Sequence, residues 1–124
     1  MKISLKECKV QEMTFSIVKN NNRREDSFDL KTSQTFSEED KRRFDLFFEI
    51  NVKDTNFDLD IIMLFIFELD DDITEEFKVS DFPKINAPAI AFPYLRAFIS
   101  NVTLQSGFNP VMLPSINFVE FSKS

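Results

Sequence analysis

Between Phe44 and Lys53 apolar and polar residues alternate more cleanly than anywhere else in the chain. Phe44, Leu46, Phe48, Ile50 and Val52 fall on one parity, and Asp45, Phe47, Glu49, Asn51 and Lys53 on the other. A period of two puts each set on its own face of an extended chain, so the segment is predicted as a strand with one wholly apolar face. Asp54-Thr55-Asn56 supplies a hairpin turn, because Asp and Asn side chains bond to nearby backbone and tolerate tight-turn dihedrals. Phe57, Leu59, Ile61, Met63, Phe65 and Phe67 then continue the alternation in a further strand. From Ile61 onward the opposite parity also turns apolar, through Ile62, Leu64 and Ile66, so that half of the strand is expected to be covered on both sides. Upstream, Val10, Met13, Phe15 and Ile17 mark a first strand between Lys9 and Val18, with one slip of period near Gln11-Glu12 that a bulge absorbs. Phe28, Leu30 and Thr32, set against Asp29, Lys31 and Ser33, mark a second. Asn20-Asn21-Asn22 and Asp70-Asp71-Asp72 read as turns in a chain whose sole glycine is Gly107.

The period changes after Pro93. Leu95, Phe98, Ile99 and Val102 are spaced three or four apart, Pro93 suits a first helical turn and Gly107 a C-terminal stop, which predicts a helix over about 92–105. The charged stretch from Ser37 to Arg43 has no apolar face and is expected to be a loop or a single turn. Thr74 to Ile85, interrupted by Pro83, is expected to hold a short helical turn. Phe108 to Phe118 is apolar but broken by Pro110 and Pro114, so it should run extended across a surface.

Composition narrows the chemistry. The 124 residues fit one domain, 1–124, with one modest core. There are sixteen Phe, one Tyr, no Trp and no His. Without imidazole the chain lacks the usual general base at neutral pH, the Ser-His and Cys-His nucleophile systems and most zinc sites, and a single glycine rules out a Gly-x-Ser-x-Gly nucleophile turn. Carboxylate or lysine chemistry stays open; the expectation is a protein that is not an enzyme and needs no cofactor. Asp and Glu outnumber Lys and Arg by 21 to 15, a net charge of −6 that disfavours nucleic acid and anionic membrane as partners. Asp58, Asp60 and Asp70 to Asp72 lack calcium-loop spacing, so no metal site is expected. Cys8 cannot form an intrachain disulfide and is expected to be a half-buried structural thiol. With no apolar leader at the start, a cytoplasmic location is expected.

Two stretches carry a family resemblance. Phe92-Pro93-Tyr94-x-Arg96, and Gly107-Phe108 followed by Pro110, Leu113-Pro114 and Ile116-Asn117-Phe118, resemble in order and spacing the carboxy-terminal half of the SecB family. Ile66-Phe67 matches less distinctively. The resemblance implies an α+β fold: a four-stranded antiparallel sheet with one main helix packed on one side, assembled as a dimer of dimers. The family commonly has Gly before the Ile-Phe pair where this chain has Leu64-Phe65, so any bulge there must be made differently. The family's second helix follows the Ile-Asn-Phe element, and Val119 to Ser124 are too few for an autonomous helix.

The same resemblance implies an ATP-independent chaperone that holds unfolded or nascent polypeptides. Val111, Met112, Leu113, Ile116 and Phe118 are the candidate client-binding residues, since Met and Phe give adaptable contact area, although core packing competes for each of them. Tyr94, Leu95, Phe98, Ile99 and Val102 are the candidate interface of a homotetramer. Asp58 and Asp60 are candidates for docking the translocation motor SecA. Three roles stay open: delivery of preproteins to the Sec translocase, protection of an antitoxin in a toxin-antitoxin system, and a scaffold or adaptor for one folded partner.

Overall fold

A computed structural model describes residues 2–19 and 25–123. The expected turn at Asn20-Asn21-Asn22 lies outside the described residues. The chain divides into two compact units, Met1–Ile73 and Thr74–Ser124.

The first unit is an antiparallel sheet of β1 (Ile3–Ile17), β2 (Ser27–Phe36), β3 (Arg43–Lys53) and β4 (Phe57–Leu69), in the order β1-β4-β3-β2. The hairpin between β3 and β4 closes where expected: the Asp54 amide donates to the Phe57 carbonyl at 2.9 Å, and the Asp54 carboxylate accepts from the Asn56 amide at 2.8 Å. Pairing of β3 with β4 runs unbroken from Arg43 opposite Glu68 to Lys53 opposite Asp58. Leu64-Phe65 therefore makes no bulge against β3. The irregularities lie in β1, between Leu5 and Glu7 and between Val10 and Glu12. The second is the slip read from the sequence. The first explains why β1 begins six residues earlier than expected: Ile3 and Leu5 share a face with Cys8 and Val10 only after one extra residue, so simple alternation fails there.

One face of the sheet is the core. Phe44, Leu46, Phe48, Ile50, Phe57, Leu59 and Phe65 are fully buried on it. Phe44 stacks on Phe67, with centroids 5.1 Å apart, and Phe48 meets Phe65 edge-on at 5.5 Å. Each such side chain contributes about 2–3 kcal/mol through burial, and a well-placed ring pair about 1 kcal/mol more. On the opposite face Leu64 and Ile66 are also buried, with Phe47 and Ile62 half-buried beside them, in agreement with the second apolar parity of β4. The charged stretch before β3 is a loop as expected, folded on the Ser37 hydroxyl, which accepts from the Glu39 and Asp40 amides at 3.2 and 3.1 Å.

The second unit holds a single turn α1 (Glu75–Lys78), a π-helical turn at Phe82–Asn86, the main helix α2 (Ala87–Gln105) and a final turn α3 (Phe118–Phe121). Thr74 caps α1 by accepting from the Phe77 amide at 3.0 Å, and Asn117 caps α3 through the Val119 and Glu120 amides. The main helix starts five residues before the expected 92. Pro88 occupies its first turn, and Pro93 lies inside it. The early part was illegible because its inward row begins with small residues, Ala87 and Ala91, before Leu95, Ile99 and Thr103 continue it at four-residue spacing. The end is as expected. Gly107, at φ 96°, donates to the Leu104 carbonyl at 3.1 Å, and the Phe108 amide reaches the Thr103 carbonyl at 3.1 Å, the paired bonds of a left-handed helix stop.

Candidate functional site

Beyond Gly107 the chain has to satisfy its backbone without a strand partner, since Pro110 and Pro114 deny it a regular ladder. Two hydroxyls of α2 do this for Val111. The Ser100 hydroxyl donates to the Val111 carbonyl at 2.6 Å, and the Val111 amide donates to Thr103 Oγ1 at 2.9 Å. Thr103 in turn donates back to the Ile99 carbonyl at 2.8 Å. Its hydroxyl is completely buried, and it is the sole fully buried polar residue among the described residues. Leu113 and Phe118 anchor the segment inward, Phe118 packing edge-on between Phe92 and Phe121 at 5.6 and 5.5 Å. Between the pinned Val111 and the buried Leu113, Met112 points outward and is 71% exposed.

This geometry divides the five candidate client-binding residues. Met112 is on the surface and Val111 and Ile116 are half-buried, whereas Leu113 and Phe118 are interior residues, drawn in because they anchor the segment. The five candidate interface residues divide in the same way. Tyr94 is 54% exposed and Phe98 and Val102 are half-buried, while Leu95 and Ile99 are fully buried within the chain and lie on the inward row of α2. The outward side of α2 is unusual for a surface helix. Ile90, Tyr94, Ala97, Asn101 and Leu104 recur at helical spacing, all exposed and all uncharged, and Arg96 is the one charged residue in the helix.

Asp58 and Asp60 lie on the face of β4 opposite the core. Asp58 stands between Ser16 and Lys53 in register and Asp60 between Thr14 and Asn51, whose side-chain amide donates to it. With Glu12, Glu49 and Ile62, Asp60 borders a shallow depression of acidic character. Among the described residues no three Cys, Asp or Glu side chains cluster so as to hold a metal ion. Ser16 and Lys19 reproduce a Ser-x-x-Lys spacing, but Ser16 lies on β1 and Lys19 in a bend beyond its end, not on the helix turn that would bring residues three apart together.

Sequence reasoning found β1 as a strand but missed that it is an edge strand whose apolar row stays exposed. Val10, Met13 and Ile17 share its core-side face yet are exposed, Ile17 to 64%. Cys8 belongs to this row. It is an exposed residue rather than a half-buried one, because β1 is an edge strand, though partial burial of the thiol raises its pKa. Nothing in the alternation announced this, since the same row of period two would serve an inner strand as well as an edge. No helix among the described residues is long and apolar enough to cross a membrane.

Comparison with known proteins adds to this geometry. A family model described as preprotein translocase subunit SecB matches residues 3–123. The protein-export protein SecB of Magnetococcus marinus is 34% identical over 99 residues, covering 73% of this chain and 59% of that protein. An uncharacterized protein of Methanocaldococcus jannaschii is 52% identical over 40 residues, 32% of this chain and 26% of its own length. The chain thus spans less than two thirds of either curated relative. In fold it is similar to a Mycobacterium tuberculosis SecB-like chaperone solved in complex with a ChAD peptide from the HigA1 antitoxin, with a TM-score of 0.71 at 14% identity over 92% of this chain and 90% of that one. A four-stranded antiparallel sheet with one main helix, the paired motifs of residues 92–118 and a family match along nearly the whole sequence lead to one assignment: this chain belongs to the SecB family.

Proposed function

We propose that this protein is a chaperone that holds unfolded polypeptide segments without nucleotide and catalyses no reaction. Membership of the SecB family supports the reading. The observation that carries it is Met112, whose flexible side chain stands 71% exposed on an extended segment held by its neighbours on either side. An apolar side chain fixed in water meets an unfolded client without a further ordering cost, and a thioether adapts to many client sequences. Val111 and Ile116 extend that contact surface. The test is light scattering from chemically denatured, unrelated clients with no nucleotide present. Slowed aggregation at stoichiometric chaperone supports the proposal, and unchanged scattering in excess chaperone contradicts it.

A second reading is favoured by one observation: the M. tuberculosis neighbour was solved with an antitoxin peptide. In that reading the client is one short segment of an antitoxin rather than preproteins bound for export. A toxin and antitoxin encoded beside this gene, and tight binding of that antitoxin's carboxy-terminal peptide, would select it. For the export role, Asp58 and Asp60 are the proposed SecA contacts, and neutralising both should abolish SecA binding while leaving client capture intact.

The proposed assembly is a cytoplasmic homotetramer. Two features support it: the uncharged outward row of α2 around Tyr94, with Phe98 and Val102 at its flank, and the outer edge of β1, a 15-residue strand whose sheet neighbour is β4 alone among the described residues and which carries an exposed apolar row. Native mass spectrometry at micromolar concentration should give the tetramer; monomer alone would contradict it.

A further inference from the structure

We infer that Ser100 and Thr103 are positioning residues for client capture: a two-hydroxyl clasp that fixes the backbone of Val111 and so holds Met112 out toward solvent. The inference rests on the client-binding reading above and names the part of α2 that sets its geometry.

The two hydroxyls are three residues apart on α2, hence on one face of the helix, and they take the two backbone polar groups of one residue. Val111 thereby receives what a neighbouring strand would otherwise supply, one donor to its carbonyl and one acceptor for its amide. Thr103 acts as a relay, accepting from the Val111 amide while donating its own hydroxyl to the Ile99 carbonyl, with the Ser100 carbonyl 3.1 Å away. A buried hydroxyl in a helix ordinarily makes only that backward bond, and here a lone pair of the same oxygen also accepts from the segment beyond the helix. In an extended segment successive side chains point to opposite sides. With Val111 fixed by its backbone and Leu113 buried, Met112 has one direction left, outward, and its sulfur rests 3.6 Å from the Ser100 hydroxyl. Pro110 and Pro114 bracket the clasp and keep the segment from pairing elsewhere.

Three variants of the full chain, Thr103→Val, Ser100→Ala and Met112→Asp, test this, with Thr103→Ser as the conservative control. Each is read by amide hydrogen exchange at Val111, affinity for a fluorescently labelled, reduced and carboxymethylated lactalbumin as a permanently unfolded probe, oligomer mass and melting temperature. Thr103→Val keeps the volume and removes the relay. Exchange at Val111 should accelerate about tenfold, the factor expected from one lost hydrogen bond, and probe affinity should weaken by a similar factor while mass is unchanged. Thr103→Ser, which retains the hydroxyl, should restore both. Ser100→Ala lies at a half-buried position and keeps the inference testable if Thr103→Val does not fold. Wild-type exchange at Val111 in Thr103→Val, or undiminished probe affinity in Ser100→Ala, overturns the clasp. Faster exchange with undiminished affinity overturns its positioning role. If Met112→Asp weakens capture and neither clasp variant does, the clasp alone is wrong. If Met112→Asp binds like wild type, the binding strip is wrong and the inference falls with it.

Discussion

The sheet and the proline-bounded segment after α2 are both rich in apolar residues, but they use them in opposite ways. In β3 and β4 backbone pairing is complete, so the period of two is free to sort side chains, and one parity is buried throughout from Phe44 to Phe65, none of it more than 4% exposed. Between Gly107 and Asn117 there is no strand partner. Borrowed hydroxyls and two buried anchors hold the backbone, and an apolar side chain is left in water. A small domain buries its apolar residues wherever regular pairing allows. Where proline forbids pairing, the same kind of residue becomes surface with a fixed shape.

The largest effect that separates the two regions is expected in the sheet. Phe65 is fully buried and edge-on to Phe48, so Phe65→Ala should destabilise the fold by about 3–5 kcal/mol. Urea denaturation would measure it, and a cost below about 1 kcal/mol would mean that the core face is not close-packed. At the boundary of the proline-bounded segment, Gly107→Ala should cost about 1 kcal/mol. A Cβ there would meet nothing within 4 Å, so the whole cost comes from φ 96°, and a neutral substitution would contradict the left-handed helix stop.

Much of this contrast was legible in the sequence. All four strands, the hairpin at Asp54, the slip in β1 and the stop at Gly107 follow from alternation and turn chemistry, because each is a local consequence of side-chain period. What was not legible depended on partners distant in the chain. Leu95 and Tyr94 look alike in a helical pattern, and only the fold decides that one is interior and the other exposed. The same holds for Leu113 and Met112, adjacent and equally apolar. Ser100 and Thr103 carried no signal at all, since Ser and Thr in a helix usually bond backward and nothing in their spacing announces Val111 as a partner.

The smallest effect concerns Cys8. Partial burial disfavours the thiolate and raises the thiol's pKa, so at any pH below that value the reactive fraction is reduced. Alkylation by iodoacetamide should be slower than for an unperturbed cysteine at pH 8 and should climb as pH rises. A rate above that of free cysteine would show an activated thiol and contradict the account of β1.

The central claim is that Met112 belongs to a capture surface rather than to the core, and one paired measurement on Met112→Asp addresses it most directly. Burying that carboxylate against an apolar client costs several kcal/mol unless it is neutralised, whereas in free chaperone it stays in water. Affinity for an unfolded client is therefore predicted to fall at least about tenfold, while melting temperature and oligomer mass match the wild type. Unchanged affinity, or an assembly that falls apart together with binding, would contradict the claim.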